Sequence, residues 1–291
     1  MKFLNLQTDF AFKRVFGNAK KPHIAINFLN AVLALPEGKE IVDLIFIDPY
    51  NKPKTTRKKL GIVDVKCTNK RGEKFIIEMQ AREQPAYAKR AQHYVFANVV
   101  DQLEKGERFD TLLPVYFVGV LKFNLITHTK QPISRYTIVQ KQNDELLEDD
   151  LMDLANWTFI ELTKFNKKIA ACKTLVEQWM YLLKYAEKLD EIPALLGAEK
   201  ALLEAMELLN EGAMTEKERV TYQEELDALR VEEDILSAAE KKAEARGKTE
   251  GKTEGKAEAI RELARNLLDV LPVEKIAEIT GLSADEIKKL P

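Results

Sequence analysis

The sequence predicts an α/β protein with a largely α-helical C-terminal region, on three observations. Short apolar runs at 41–47, 60–66, 74–80 and 112–121 have strand length and are bordered by turn-forming residues. Runs with helical spacing at 8–16, 23–35 and 87–106 stand before and between them. From about residue 145 onward the chain reads as helical.

Taken in order, the first helix has Thr8 or Asp9 as its cap and Gly17 as its stop. The second carries Ile24, Ile26, Phe28, Leu29, Val32 and Leu33 and halts before Pro36. Ile41-Val-Asp-Leu-Ile-Phe-Ile47 reads as a strand closed by Asp48-Pro49. Leu60-Gly-Ile-Val-Asp-Val-Lys66 and Lys74-Phe-Ile-Ile-Glu-Met-Gln80 read as a hairpin across a polar turn. A long helix follows from Tyr87, with Gly106 as its stop. The almost wholly apolar run at 112–121 suits a strand buried on both faces, and 133–139 is a further strand.

In the second half, Leu175, Trp179, Leu182, Leu183 and Ala186 share one helical face. Helices are expected over 195–209 and 215–246. Gly247-Lys-Thr-Glu, Gly251-Lys-Thr-Glu and Gly255-Lys-Ala-Glu258 form a four-residue repeat. Each glycine costs a helix about 1 kcal/mol relative to alanine, so 247–258 reads as a linker. Three short helices are expected after it. Ala277, Gly281 and Ile287 have helix-turn-helix spacing. The would-be reading helix offers Lys288 and Lys289 to phosphate, but Asp285 and Glu286 repel it.

At 291 residues the chain has room for one large domain with extensions. Cys67 and Cys172 read as reduced thiols and imply no disulfide framework. No long apolar stretch opens the sequence and none approaches a membrane span, so a cytoplasmic protein is expected.

The net charge of −2 hides an asymmetry. Residues 1–140 hold 23 Lys and Arg against 13 Asp and Glu, whereas 141–291 hold 22 against 34. A polyanion is drawn to the first half. Lys52, Lys54, Arg57, Lys58 and Lys59, followed by Lys70 and Arg71, are the candidate DNA-contacting residues. Solvated loops are the competing reading. Pairing between the basic and acidic halves is a third.

Asp64 and Glu78 are the candidate catalytic pair. Carboxylates inside apolar strands are costly unless something pairs with them, and a hard divalent cation suits two such groups. Side chains alternate along a strand, so Glu78 and Gln80 share a face. An antiparallel hairpin brings Asp64 beside Glu78. A half-exposed sheet with polar residues at alternate positions gives the same pattern without any site. Asp9 and Lys13 are four residues apart on the first helix, as are Arg90 and Tyr94 on the long one. Asp9 and Lys13 either pair with each other or face the site, whereas Arg90 and Tyr94 are placed to bind a phosphate or the back of the Glu78 strand.

The order of these motifs resembles the recombination-promoting nuclease (Rpn) family, the PD-(D/E)XK nuclease family transposases. The resemblance rests on Thr8-Asp-Phe-Ala-Phe-Lys13, Ile62-Val-Asp-Val-Lys66, Phe75-Ile-Ile-Glu-Met-Gln80, Arg90 and Tyr94. It continues through Gln102-Leu-Glu-Lys-Gly106, Leu113-Pro-Val-Tyr116, Ile160-Glu-Leu-Thr-Lys-Phe165, the Gly-Lys-x-Glu repeat and Ile279-Thr-Gly-Leu-Ser283. It implies a restriction-endonuclease-like core with a mixed central sheet flanked by helices, and Mg²⁺-dependent DNA cleavage, with Mn²⁺ as a substitute. By carry-over, Asp64, Glu78 and the Met79 backbone carbonyl hold the metal, and Gln80 orients water. Gln80 stands where the superfamily usually has lysine, and glutamine supplies neither charge nor a base. Lys66 is a candidate for the missing cation, against a solvated lysine. Asp9, Lys13, Arg90 and Tyr94 are accessory candidates.

The expected division is a nuclease-like core over 1–140, a helical extension over 141–246, the linker 247–258 and a small helical module over 259–291. The partners expected are DNA and a second copy joined through the helical region. The alternative is a catalytically weak or inactive DNA-binding or oligomeric scaffold on a nuclease fold.

Overall fold

Cys67 and Phe75, and Val65 and Ile77, pair across an antiparallel hairpin and bury one face of it. The two-residue side-chain period of these residues fixes the register, because a slip by one would turn all of them to the opposite face. In this computed structural model, residues 2–47, 50–51, 61–142, 145–147, 153–268 and 271–289 are described. Lys52, Lys54, Arg57, Lys58, Lys59, Asp48 and Pro49 lie outside them.

Helices α1 (Asp9–Phe16) and α2 (Pro22–Leu33) come first. The strands β1 (Ile45–Phe46), β2 (Tyr50–Asn51), β3 (Gly61–Ile62), β4 (Val65–Thr68) and β5 (Lys74–Gln80) follow. Next come α3 (Tyr87–Val100), β6 (Val115–Leu121), β7 (Ile133–Tyr136), β8 (Gln140–Gln142), β9 (Glu145–Leu147) and β10 (Ala155–Glu161). The six-stranded sheet has the order β1-β4-β5-β6-β10-β7. It is mixed: β5, β6 and β10 run parallel, while β1, β4 and β7 pair antiparallel to their neighbours.

One face of the sheet is covered by α1, α2, α4 (Leu175–Tyr185) and α6 (Lys200–Leu209). Phe12, Phe16, Phe28 and Trp179 form a chain of aromatic contacts there, with ring centroids 4.6–5.7 Å apart. The other face carries α3, which buries Tyr87, Ala91, Tyr94 and Val95 over Ile76, Phe117 and Phe159. Close approach of α3 depends on Gly119, where a Cβ atom would come within 2.8 Å of the Tyr87 hydroxyl and 3.1 Å of Phe117 and Phe159. Gly119→Val is expected to cost about 3 kcal/mol through overpacking, read as a lower urea midpoint. An unchanged midpoint would show that α3 can move away.

The N-terminal segment is tied to residues far along the chain. Leu4 N–H donates to the Leu209 carbonyl at 2.8 Å, and Glu211 N–H to the Lys2 carbonyl at 3.0 Å. The short helix α5 (Ala194–Gly197) precedes α6, and α7 (Glu216–Leu267) follows it. Three side chains of α7 hold the N-terminal segment. Arg14 pairs with Glu218, Asn5 N–H donates to the Tyr222 hydroxyl at 2.7 Å, and Phe10 N–H donates to Glu225 Oε2 at 2.8 Å.

The chain divides into compact units at 1–226 and 227–291. In the second unit, α8 (Val273–Thr280) and α9 (Ala284–Lys288) pack Ile276 and Ile287 with Ala264 of α7. Gly281 ends α8 at φ +72°, a conformation that glycine adopts without strain. The acidic Glu286 caps α9 with Ser283.

Several expectations change. The chain is not helical from 145 onward: β9 and β10 are strands, and β10 enters the main sheet past the boundary expected at 140. Its Trp157 and Phe159 are buried on one face of the sheet and Ile160 on the other, the two-residue alternation of a strand covered on both faces. The run 60–66 is broken by a bend at Asp64. The long helix stops at Val100, and Gly106 sits beyond it at φ +96°. Residues 247–258 are helical within α7, where neighbouring helix outweighs the cost of three glycines. Both cysteines are free and buried. Among the described residues no helix is long and apolar enough to cross a membrane.

Candidate active site

Asp64 sits at the bend that opens β4, and Glu78 sits near the end of β5. The pairing of Val65 with Ile77 sets Asp64 across from Glu78, one step further along. Asp64 Oδ2 accepts the Met79 backbone N–H at 2.7 Å. In an extended strand, the N–H and C=O of one residue leave the same edge, so the Met79 carbonyl also faces the Asp64 side. Glu78 points to the α3 face, where it is buried and Oε2 has no hydrogen-bond partner among the described residues.

Both carboxyls hold their protons strongly. Burial, and then the charge of Asp64, push Glu78 up to about 8, with Arg90 working in the opposite direction. Burial pushes Asp64 up to about 6 despite the Met79 N–H, and the Asp9 carboxylate adds to the rise. A buried and a half-buried acid, both raised above the usual carboxylate range, are a site short of positive charge.

α1 brings the next shell. Lys13 Nζ lies 2.8 Å from Asp9 Oδ2, so the two pair with each other. They also lie near the site: the Asp9 carboxylate helps raise the Asp64 carboxyl, and the charge of Asp64 acts on Lys13. Both readings of this pair therefore hold together.

α3 brings the cation. Arg90 Nη2 lies 2.6 Å from Gln80 Oε1 and 3.5 Å from Glu78 Oε1, and Arg90 also bonds Gln84. Its guanidinium sits 5.0 Å from the Tyr87 ring centroid, and Nε is buried without a partner. The oxygen of Gln80 thus holds Arg90, leaving the amide N–H groups to face water or phosphate. Tyr94 lies one helical turn beyond, its hydroxyl raised by burial and then by the charge of Glu78.

Other candidates stand elsewhere. Lys66 pairs with Ile76 on the α3 side of β4, two residues from Asp64. Lys70 and Arg71 occupy the hairpin turn, at the opposite end of β4 and β5 from the carboxylates. With about 3.4 Å per residue, that is roughly 15 Å away. Arg71 is held by Glu73 at 2.8 Å and by the Lys39 carbonyl at 2.9 Å. These two side chains do not join the site.

Sequence reasoning missed Tyr87 and Glu225. Tyr87 stands three residues before Arg90, and that helical spacing was a usable signal. Glu225 meets the first turn of α1 from 215 residues away, and nothing local announces it.

Two carboxylates and a strand carbonyl are the hard oxygen donors that a small divalent cation takes, with water and phosphate completing its shell. The orphaned Glu78 oxygen fits that role. Among the described residues no group of three or more His, Cys, Asp or Glu side chains is arranged to hold a metal by itself. A family model described as PD-(D/E)XK nuclease family transposase matches residues 6–239. No curated protein and no solved structure matches the chain.

Proposed function

Because this chain belongs to the PD-(D/E)XK nuclease family transposases, with a restriction-endonuclease-like fold, we propose that it is a Mg²⁺-dependent DNA endonuclease of the recombination-promoting type. The observation that carries the reading is the pairing of half-buried Asp64 with buried Glu78, with an unpartnered Glu78 oxygen and Arg90 beside it.

In this reading Asp64, Glu78 and the Met79 carbonyl hold the cation. When bound, the cation supplies Lewis acidity to the scissile phosphate and lowers the pKa of an attacking water. Arg90 supplies the fixed positive charge that Gln80 lacks, aimed at the phosphate oxygens. Gln80 fixes that guanidinium and donates its amide N–H to water. Asp9 and Lys13 keep Asp64 in place, and Tyr87 shields the pair from bulk water.

The test is nicking of supercoiled plasmid by the full chain. Nicking is expected with Mg²⁺ or Mn²⁺ and none is expected in EDTA. Absence of nicking with both metals, together with absence of Mn²⁺ binding by calorimetry, would leave the scaffold alternative in its place.

A further inference from the structure

The sheet face that carries Glu78 continues into an aromatic pocket two strands away. Glu78 pairs in register with Gly119 on β6, and Gly119 pairs with Phe159 on β10. Neighbouring strands lie about 4.8 Å apart, so Phe159 stands roughly 10 Å from Glu78 in the same row. Tyr87 fills the space over Gly119 between them, its ring 6.2 Å from that of Phe159. In the adjacent row, Trp157 stands opposite Tyr136 of β7. Phe159, Trp157 and Tyr136, together with α3 and the loop after β6, line a cavity of about 470 Å³.

The walls of this cavity are fixed. Trp157 Nε1 donates to the Ala91 carbonyl at 3.2 Å, and the rings of Tyr136 and Phe159 meet edge-on at 5.9 Å. The loop is pinned by Glu161, fully buried at the end of β10. Its Oε1 accepts the N–H groups of Leu125 and Ile126 at 2.6 and 3.0 Å, and its Oε2 pairs with Lys164 at 2.6 Å. A buried carboxylate spent on two loop amides makes a preformed wall. The polar residues Gln92, Thr127, His128 and Thr137 also line it.

Aromatic walls together with an amide, hydroxyls and an imidazole suit a flat heteroaromatic ring with hydrogen-bonding edges. A base on the strand whose phosphate lies at Glu78 is such a ring, and the pocket is within its reach. A base paired in a duplex is stacked, with its edge occupied, and cannot enter. We propose that this pocket takes an unpaired nucleobase beside the scissile phosphate, so that the preferred substrate carries single-stranded or extruded bases. This inference rests on the endonuclease reading of the Asp64–Glu78 site.

The test uses the full chain in EDTA, with a labelled single-stranded oligodeoxynucleotide and a blunt duplex of the same sequence, read by anisotropy. Tyr136→Ala and Gln92→Ala both change exposed side chains. Tyr136→Ala is expected to weaken single-strand binding about tenfold, the loss of one base–aromatic stack, and to leave duplex binding within about twofold. Gln92→Ala is expected to weaken single-strand binding by a smaller factor that depends on the base. Mn²⁺ titration of both variants is expected to match wild type. Single-strand binding at wild-type strength by both variants overturns the inference, as does tighter binding of the blunt duplex by the wild type. If nicking and Mn²⁺ binding fail while binding that depends on Tyr136 persists, the endonuclease reading falls and the pocket stands.

Discussion

Replacing Glu78 with alanine is expected to lower plasmid nicking on the order of a thousandfold while leaving the fold intact. In the proposed site, loss of either carboxylate takes away several kcal/mol of cation-dependent stabilisation, and about 4 kcal/mol is about three decades in rate. Asp64→Ala is expected to have the same effect, because the proposed cation site needs both carboxylates. The double substitution should then be no worse than either single one. Arg90→Ala should cost about a hundredfold, with partial recovery in Arg90→Lys, which keeps the charge but loses the bidentate fork. Circular dichroism and thermal melting provide the control for folding. Wild-type nicking by purified Glu78→Ala and Asp64→Ala proteins would remove these residues from the chemistry.

Cation affinity is expected to rise steeply between pH 6 and pH 8. Glu78 stays protonated in the folded, metal-free protein up to about 8, and Asp64 up to about 6. Over that window the cation displaces mainly the Glu78 proton, so affinity should gain about tenfold per pH unit and level off above pH 8. The same proton makes a stability prediction. Unfolded glutamate titrates near 4.3, so the native state binds the extra proton between that value and about 8. Stability is therefore full below the lower value and falls as pH rises through the window. Glu78→Gln should flatten that fall in metal-free protein. Mn²⁺ calorimetry and urea melts from pH 5 to pH 9 provide the check. A flat affinity profile would show that Glu78 is already ionised.

The carboxylate pair was legible because its signal is local. Asp64 and Glu78 interrupt apolar runs, and the period of the hairpin dictates their approach. Thr8 and Gly17 likewise marked α1 by their capping chemistry. Strand β10 was not legible. Ala-Asn-Trp-Thr-Phe-Ile-Glu carries no turn signal of its own, and its place beside β6 is set by parallel pairing at long range. The engagement of Arg90 with Gln80 was half legible. The residues were visible, but the nine positions between them contain a turn whose path only the fold determines. Lys70 and Arg71 were singled out by charge alone, and charge says nothing of place: the hairpin sets them at its far end from the carboxylates.

The ties between the N-terminal segment and residues 209–225 also set an order of events during synthesis. Helix α1, which places Asp9 against Asp64, is held by Glu218, Tyr222 and Glu225. At about 5–20 residues per second, a ribosome makes Asp9 on the order of ten to forty seconds before Glu225. Until then the first helix lacks its anchors, and the carboxylates lack the neighbour that steadies Asp64. Contacts this distant in sequence are also slow to form after release. Bracing of the Asp64 neighbourhood is thus timed to the late stage of translation, and a nascent chain truncated before residue 218 leaves the ribosome without it.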